Sequence, residues 1–86
     1  MNFELSSHFE KGYKKLPKKI QNKVGERLEV FENDEFDSIL KNHKLHGEYD
    51  GFRSINITSD IRIVYRKISN NHYLLHQIGT HSELYS

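Results

Sequence analysis

The amino-acid sequence predicts a single α+β domain: an N-terminal strand, a two-helix hairpin and an antiparallel three-stranded meander, joined in one sheet with the helices packed on one face. Three observations carry this. Between residues 9 and 31 apolar side chains recur every three or four positions, the period of an α-helix. From residue 52 they alternate, the period of a strand. No repeat, low-complexity run or linker divides residues 1–86. A chain of 86 residues buries only about 60–65% of the surface that it exposes when unfolded, so each element must find its partner in one shared core.

The stretch "NFEL" alternates Phe3 and Leu5 and reads as a short first strand. Ser7 followed by Glu10 has the spacing of a capping box, in which a hydroxyl and a carboxylate satisfy the free N–H groups of a helix start. Phe9, Tyr13 and Leu16 line the buried stripe of the helix that follows. Pro17, with its fixed φ and missing N–H, suits the first turn of a second helix, whose Ile20, Val24, Leu28 and Phe31 recur at helical spacing. Gly25 weakens that helix by about 1 kcal/mol relative to alanine.

After it, "DSILKNHKLHGEYDG" has no clean period and contains two glycines, which predicts a short helical turn near Ser38 to Lys41 and then a loop. "FRSINI" and "IRIVYR" flank "TSD", a three-residue hairpin connection, and "HYLLHQIG" follows across "SNN". With Ile57 paired to Ile61, the side chains of Ile55, Ile57, Ile61, Ile63 and Tyr65 share the core face. Ser54, Asn56, Arg62 and Val64 then point from the other side, which is expected to be a polar surface open to solvent. "YLLHQI" is apolar at both parities, as a central strand covered on both faces would be. Gly79 is expected to let the chain turn out of this strand, and Leu84 to anchor the C-terminal tail in the core.

Composition narrows the function classes. There is no cysteine, which removes disulfide frameworks and thiolate metal sites and fits a cytoplasmic protein. The N-terminus lacks the apolar core of a signal peptide, and no run approaches the roughly 20 apolar residues of a membrane span, so no membrane role is expected. The net charge of +1 is unevenly distributed. Lys11, Lys14, Lys15, Lys18, Lys19, Lys23 and Arg27 stand against Glu26 alone, and Glu29, Glu32, Asp34, Glu35 and Asp37 follow without a base. The molecule should therefore have a basic flank, suited to nucleic-acid phosphates or simply to water, and an acidic one.

Six histidines are many for this length, and five of them, His43, His46, His72, His76 and His81, lie after residue 42. "HKLH" has the i, i+3 spacing that some zinc sites use, but further ligands would have to come from scattered side chains, and no metal or other cofactor is expected. Ser82 beside His81 lacks the glycine-flanked elbow of a serine nucleophile, and "GEYDG" has neither the spacing nor the lysine of a P-loop. Histidines, Asp60, Arg53, Arg62 and Tyr85 remain in the second half. Metal-free cleavage of an RNA phosphodiester uses such types: a base for the 2′-hydroxyl, an acid for the leaving 5′-oxygen, and cations against the charge on the phosphorane. Composition alone leaves this open beside satisfied core histidines and solvated arginines.

"HKLHGEYDGFRSINITSDIRIVYRK" followed by "HQIGTHSELY" resembles the signature of the YafQ-type branch of the RelE/ParE toxin superfamily: a His-x-Leu-x-Gly opening, a hairpin ending in Asp before an Ile/Val-Tyr strand, and a closing Gly-Thr-His-Ser-x-Leu-aromatic. The likeness spans about residues 43 to 85, and the β-α-α-β-β-β order agrees with that family's fold. It implies the toxin of a type II toxin-antitoxin pair, a ribosome-dependent endoribonuclease that cuts mRNA in the decoding site. Its implied partners are a cognate antitoxin, in a hetero-oligomer, together with the ribosome and mRNA.

The resemblance further implies that His43 and His81 do acid/base work, that Asp60 is the family's hairpin aspartate, and that Tyr85 is its terminal aromatic residue. Arg62 aligns with an arginine that other RelE-like toxins direct at the scissile phosphate. Two positions depart from the pattern: Asn56 stands where these enzymes carry a histidine, and Gln77 where they carry an arginine, with Arg62 or Arg53 as the cations that could compensate. RNA contacts are expected from the six lysines, Arg53, Asn56 and Gln77. A gyrase-binding toxin of the ParE type, and a weakened toxin acting with its antitoxin in transcriptional autoregulation, are the alternatives that the resemblance leaves.

Overall fold

The computed structural model describes residues 1–85. β1 (Asn2–Leu5) leads into α1 (Ser7–Lys14) and α2 (Lys18–Asn33), then a 3-10 turn at Ser38–Leu40, β2 (His43–Lys44) and a second 3-10 turn at Gly47–Tyr49. β3 (Arg53–Asn56), β4 (Ile61–Ser69) and β5 (His72–Thr80) form the meander, and α3 (His81–Tyr85) closes the described chain. The strand order is β1-β5-β4-β3-β2. β1 runs parallel to β5 while the other pairs are antiparallel, so the expected α+β sheet is mixed and five-stranded.

α1 starts one residue earlier than the expected capping box. Ser6, not Ser7, is the N-cap: its hydroxyl accepts from the Phe9 N–H at 3.0 Å and donates to the His76 carbonyl, tying the helix start to β5. Gly12 lets α1 lie flat on that strand, because a Cβ there would stand 2.7 Å from the Ile78 carbonyl oxygen. Pro17 sits at the N-cap of α2, just before its first turn. The two helices cover one face of the sheet. Phe9, Val24 and Phe31 from the helices meet Ile55, Ile57, Ile63, Tyr65, Tyr73, Leu75 and Ile78, and Phe31 stands edge-on to both Tyr65 and Tyr73 at 5.0 and 5.2 Å. Burying such side chains stabilises the fold by roughly 1.5–3 kcal/mol each.

The hairpin closes at Ile57, whose N–H donates to the Ile61 carbonyl at 2.8 Å, as the parity argument requires. The other sheet face departs from expectation. Ser54 and Val64, opposite each other on β3 and β4, are fully buried, so this face is not open to solvent along its middle. A second cover lies over it. The Tyr49 hydroxyl lies 2.9 Å from Gln77 Oε1 and 3.0 Å from the Leu84 carbonyl oxygen, its one proton shared between them, and so pins the loop between β2 and β3 to both β5 and α3. Gly47 (φ 67°) and Gly51 (φ 90°) supply the left-handed turns on either side of Tyr49.

The ambiguity of "YLLHQI" also resolves. A register shift between Val64 and Tyr65 pairs Val64 with Gln77 and Tyr65 with Leu75, leaving His76 as the extra residue of a bulge. Leu75 and Ile78 consequently both reach the helical core, and the His76 ring turns to the second cover, 4.8 Å from Phe52. Burial pushes the His76 pKa down, with His8 and Arg66 adding repulsion.

A polar network holds the acidic segment to the core. The buried Tyr65 hydroxyl donates to Glu35 Oε2 at 2.6 Å and accepts from Asn42 Nδ2 at 2.8 Å, while Arg53 Nε donates to Asn42 Oδ1 at 2.7 Å. Tyr73 donates to the other Glu35 oxygen at 3.3 Å. Burial, followed by the Glu35 carboxylate, raises the Tyr65 pKa well above the ordinary phenol value.

Two outcomes follow for stability. Tyr65→Phe keeps the ring but leaves Glu35 and Asn42 without their shared partner, and should cost about 1–3 kcal/mol in chemical denaturation. The lowered His76 pKa means that the unfolded chain binds the proton more readily, so its contribution is complete above about pH 6.5 and is lost as pH falls through the lowered value. His76→Phe should therefore flatten the decline in melting temperature as pH falls below about 6.5. A decline of unchanged slope would remove His76 as its cause.

Candidate active site

The second cover leaves a cleft of about 250 Å³, lined by His43, Leu45, His46, Tyr49, Arg62, His81 and Tyr85. β2 brings His43, β4 brings Arg62, and α3 brings His81 and Tyr85. Four of the five expected catalytic residues thus converge from separate elements. Among the described residues no carboxylate lines the cleft and the ion pairs are Lys23–Glu26 at 3.9 Å and His72–Glu4 at 3.2 Å, so none of them gives the Arg62 guanidinium an acidic partner.

His43 is exposed, and its Nδ1 lies 3.0 Å from the Lys41 carbonyl. A carbonyl only accepts, so this contact places the neutral ring's proton on Nδ1 and leaves the Nε2 lone pair outward. Lys41 holds that carbonyl in place by adopting a left-handed conformation, φ 48°, at the end of the Ser38–Leu40 turn. Asn42, fixed by Tyr65 and Arg53, is the neighbour through which the core network steadies His43.

His81 and Tyr85 are one helical turn apart, with rings 4.8 Å apart at 62°. Their helix is short, yet it is capped on both sides of its first turn: the Glu83 N–H donates to Thr80 Oγ1 at 3.1 Å, and the Thr80 N–H donates to Glu83 Oε1 at 2.8 Å. Those bonds, that from the Thr80 backbone first, lower the Glu83 pKa. Thr80-x-x-Glu83 is a capping-box spacing, a signal within "THSELY" that could have located α3. Leu84 is buried as expected, but beneath the second cover rather than in the helical core. Gly79 does not take a positive φ; its need is for close approach, since a Cβ would lie 2.9 Å from Glu83 Oε1.

Four buried polar atoms have no partner among the described residues: Arg62 Nε, Asn56 Oδ1, the Tyr85 hydroxyl oxygen and Ser54 Oγ, the last opposite His43 in the β2–β3 ladder. Most buried polar groups in folded proteins are satisfied, which sets these four apart. Asn56 and Arg62 are opposite each other on β3 and β4, on the same face.

Other expected site residues lie elsewhere. Asp60 is exposed in the hairpin turn, where its N–H donates to Thr58 Oγ1 at 3.2 Å, and it does not line the cleft. Arg53 pairs with Tyr65 across the ladder and so points to the helical side, where it binds Asn42 and stands 5.1 Å from the Phe36 ring. It cannot replace a charge in the cleft. Gln77 is engaged by Tyr49 and serves the second cover rather than an open RNA surface. His46 and Tyr49, which were not singled out as site residues, do line the cleft. Lys11, Lys14, Lys15, Lys18 and Lys19 are exposed on the helical hairpin, with Lys11 and Lys15 bordering a groove whose far wall is Thr80, Glu83 and Leu84. Among the described residues no three histidine or carboxylate groups converge as metal ligands, and no helix is long and apolar enough to cross a membrane.

The fold is that of known toxins. The crystal structure of YafQ from E. coli strain BL21(DE3) superposes with a TM-score of 0.83 at 21% identity, covering 99% of this chain and 98% of that one. YafQ in the E. coli DinJ-YafQ toxin-antitoxin complex gives 0.79 at 24% identity, covering 99% and 97%. The YoeB-YefM complex from Staphylococcus aureus gives 0.77 at 26%, covering 94% and 97%. Among curated protein sequences no relative matches. The model of the family described as "Bacterial toxin of type II toxin-antitoxin system, YafQ" matches residues 1–86, and the chain therefore belongs to the YafQ family of type II toxins.

Proposed function

We propose that this toxin is a ribosome-dependent endoribonuclease that cleaves mRNA by metal-independent acid/base catalysis in the cleft between β2, β4 and α3. The observation that carries the reading is the convergence of His43, Arg62, His81 and Tyr85 on a cleft that no carboxylate of the described residues lines. An anionic backbone can enter such a cleft, where Arg62, without an ion-pair partner among the described residues, is the cation that meets a phosphate.

In the proposed reaction His43 Nε2 takes the 2′-hydroxyl proton, O2′ bonds to phosphorus, and the P–O5′ bond breaks as protonated His81 gives its proton to O5′. The products are a 2′,3′-cyclic phosphate and a 5′-hydroxyl. Arg62 meets the charge that grows on the phosphorane, and Tyr85 positions the nucleotide. Asp60 acts on this chemistry only from the hairpin turn, outside the cleft lining. The exposed lysines of the helical hairpin meet ribosomal RNA phosphates, and the cytoplasm is the compartment in which ribosomes are reached. A cognate antitoxin is the second partner, a reading supported by the DinJ-YafQ and YoeB-YefM complexes.

On ribosome-bound mRNA under single-turnover conditions, His81→Ala and His43→Ala should each slow cleavage by about 10²-fold or more, and Arg62→Ala by about 10²–10³-fold. Replacing the scissile O5′ by sulfur makes a leaving group that needs no proton, so it should restore the rate of His81→Ala and leave His43→Ala slow. Restoration of both, or of neither, contradicts the assignment of acid and base. Wild-type rates in the His81→Ala/Arg62→Ala double variant would sink the site.

Charge reversal at Lys14, Lys15, Lys18 and Lys19 should weaken ribosome binding and flatten its salt dependence, since each lost phosphate contact lowers the slope of log K against log salt by roughly 0.7–0.9. An unchanged slope in a folded variant makes these lysines a solvated helix face.

A further inference from the structure

The cleft continues past His46 into a second cavity of about 230 Å³, walled by His46, Glu48, Tyr49, Leu84 and Tyr85. We infer that this cavity is a nucleobase pocket that selects guanine, with Glu48 as the residue that reads the base. The inference rests on the reading of the adjoining cleft as an RNA site and assigns the specificity of that site.

The walls suit a planar ring. Tyr49 and Tyr85 stand 5.8 Å apart at 89°, so a base stacked on one ring meets the edge of the other, a favourable aromatic geometry. Single-stranded RNA is read in this way, by stacking splayed bases on aromatic side chains and bonding their Watson–Crick edges. The pocket is also rigid. Tyr49 is tied at its hydroxyl to Gln77 and Leu84, and its turn is closed by the Asp50 N–H to the Gly47 carbonyl at 3.1 Å and the Phe52 N–H to the Tyr49 carbonyl at 2.9 Å. The Tyr85 hydroxyl oxygen is shielded from water, so it is the ring of Tyr85 that forms this wall.

Glu48 supplies the selectivity. Among the described residues it is the only carboxylate in the lining, and it enters no ion pair. An ionised carboxylate only accepts hydrogen bonds. Guanine presents two adjacent donors, N1–H and the N2 amino group, which match its two oxygens. Adenine and cytosine offer one amino group beside an acceptor nitrogen. Uracil offers N3–H flanked by two carbonyl oxygens, which repel the carboxylate. The expected order is guanine, then adenine and cytosine, then uracil. Because the pocket opens into the cleft through His46, Tyr49 and Tyr85, the base that it holds belongs to a nucleotide beside the scissile phosphate.

Binding of 2′-O-methyl RNA trinucleotides, which cannot be cleaved, tests the pocket separately from the chemistry. By fluorescence anisotropy the wild-type chain should bind a guanine-centred trinucleotide about 10-fold or more tightly than its uracil counterpart, the scale of one bidentate base contact. Inosine, which lacks the N2 amino group, should fall between them. Glu48→Gln places a donor against guanine's donors and should bring the guanine-to-uracil ratio to within about twofold while uracil binding holds. Equal wild-type affinities, or an undiminished ratio in a folded Glu48→Gln chain, overturn the inference. A chain that cleaves ribosome-bound mRNA without base preference overturns the pocket alone, whereas guanine preference without cleavage overturns the catalytic reading alone.

Discussion

The second face of the sheet is the constraint on which the site depends. Helices α1 and α2 satisfy one face of β3, β4 and β5, but Val64 and Ser54 on the opposite face are fully buried as well, and the described residues hold no further long helix to lay over them. The cover is assembled instead from a short loop and a helix of five residues. Such small pieces bury little area, so directional bonds must fix them: the Tyr49 hydroxyl grips β5 through Gln77 and α3 through Leu84. The cleft is the part of this face left uncovered, and its walls are the covering pieces themselves.

This arrangement explains why so much of the site rests on the helical core. His43 follows Asn42, whose side chain is held between Arg53 and the buried Tyr65 hydroxyl, and Tyr65 is held in turn by Glu35. Glu35 also receives the Tyr73 hydroxyl, so one carboxylate from the acidic segment joins β4, β5 and the entrance to β2. A buried hydroxyl bonded on both sides is a directional constraint that apolar packing cannot supply, and any shift of β4 in the core reaches His43 through it.

Periodicity made the helical side legible. Phe9, Val24 and Phe31 recur at helical spacing and are buried, and the parity of Ile55, Ile57 and Ile63 assigned the core face correctly. The same parity, applied to Arg53, would have placed it with Ile55 on the helical side, away from Arg62 and the cleft. The second face was illegible for physical reasons. Residue pattern says which side chains avoid water but not that an aperiodic stretch will fold back over them. The bulge at His76 breaks the alternation that would have sorted the last strand, and a two-residue strand such as β2 has no period to detect. Of the expected catalytic residues, His43, Arg62, His81 and Tyr85 meet because separate strands and a capped turn bring them together, whereas Asp60, at a turn tip, remains outside.

The distribution of unsatisfied groups separates structure from site. Gln77, Asn42 and Glu35 all have partners, and each fastens one element to another. Arg62 Nε, Asn56 Oδ1, Ser54 Oγ and the Tyr85 hydroxyl have none among the described residues, although each is shielded from water. An unsatisfied buried polar group costs about 1–3 kcal/mol, a large share of the modest stability available to a chain of this length. Filling the cleft with a larger apolar side chain would shed that cost and would also remove the place for a phosphate. These four orphaned groups all lie on the second face or in the pieces that cover it, whereas the Tyr65 and Tyr73 hydroxyls and the Asn42 amide on the helical side are bonded: directional bonding is complete where two long helices fix the packing and incomplete where short pieces do.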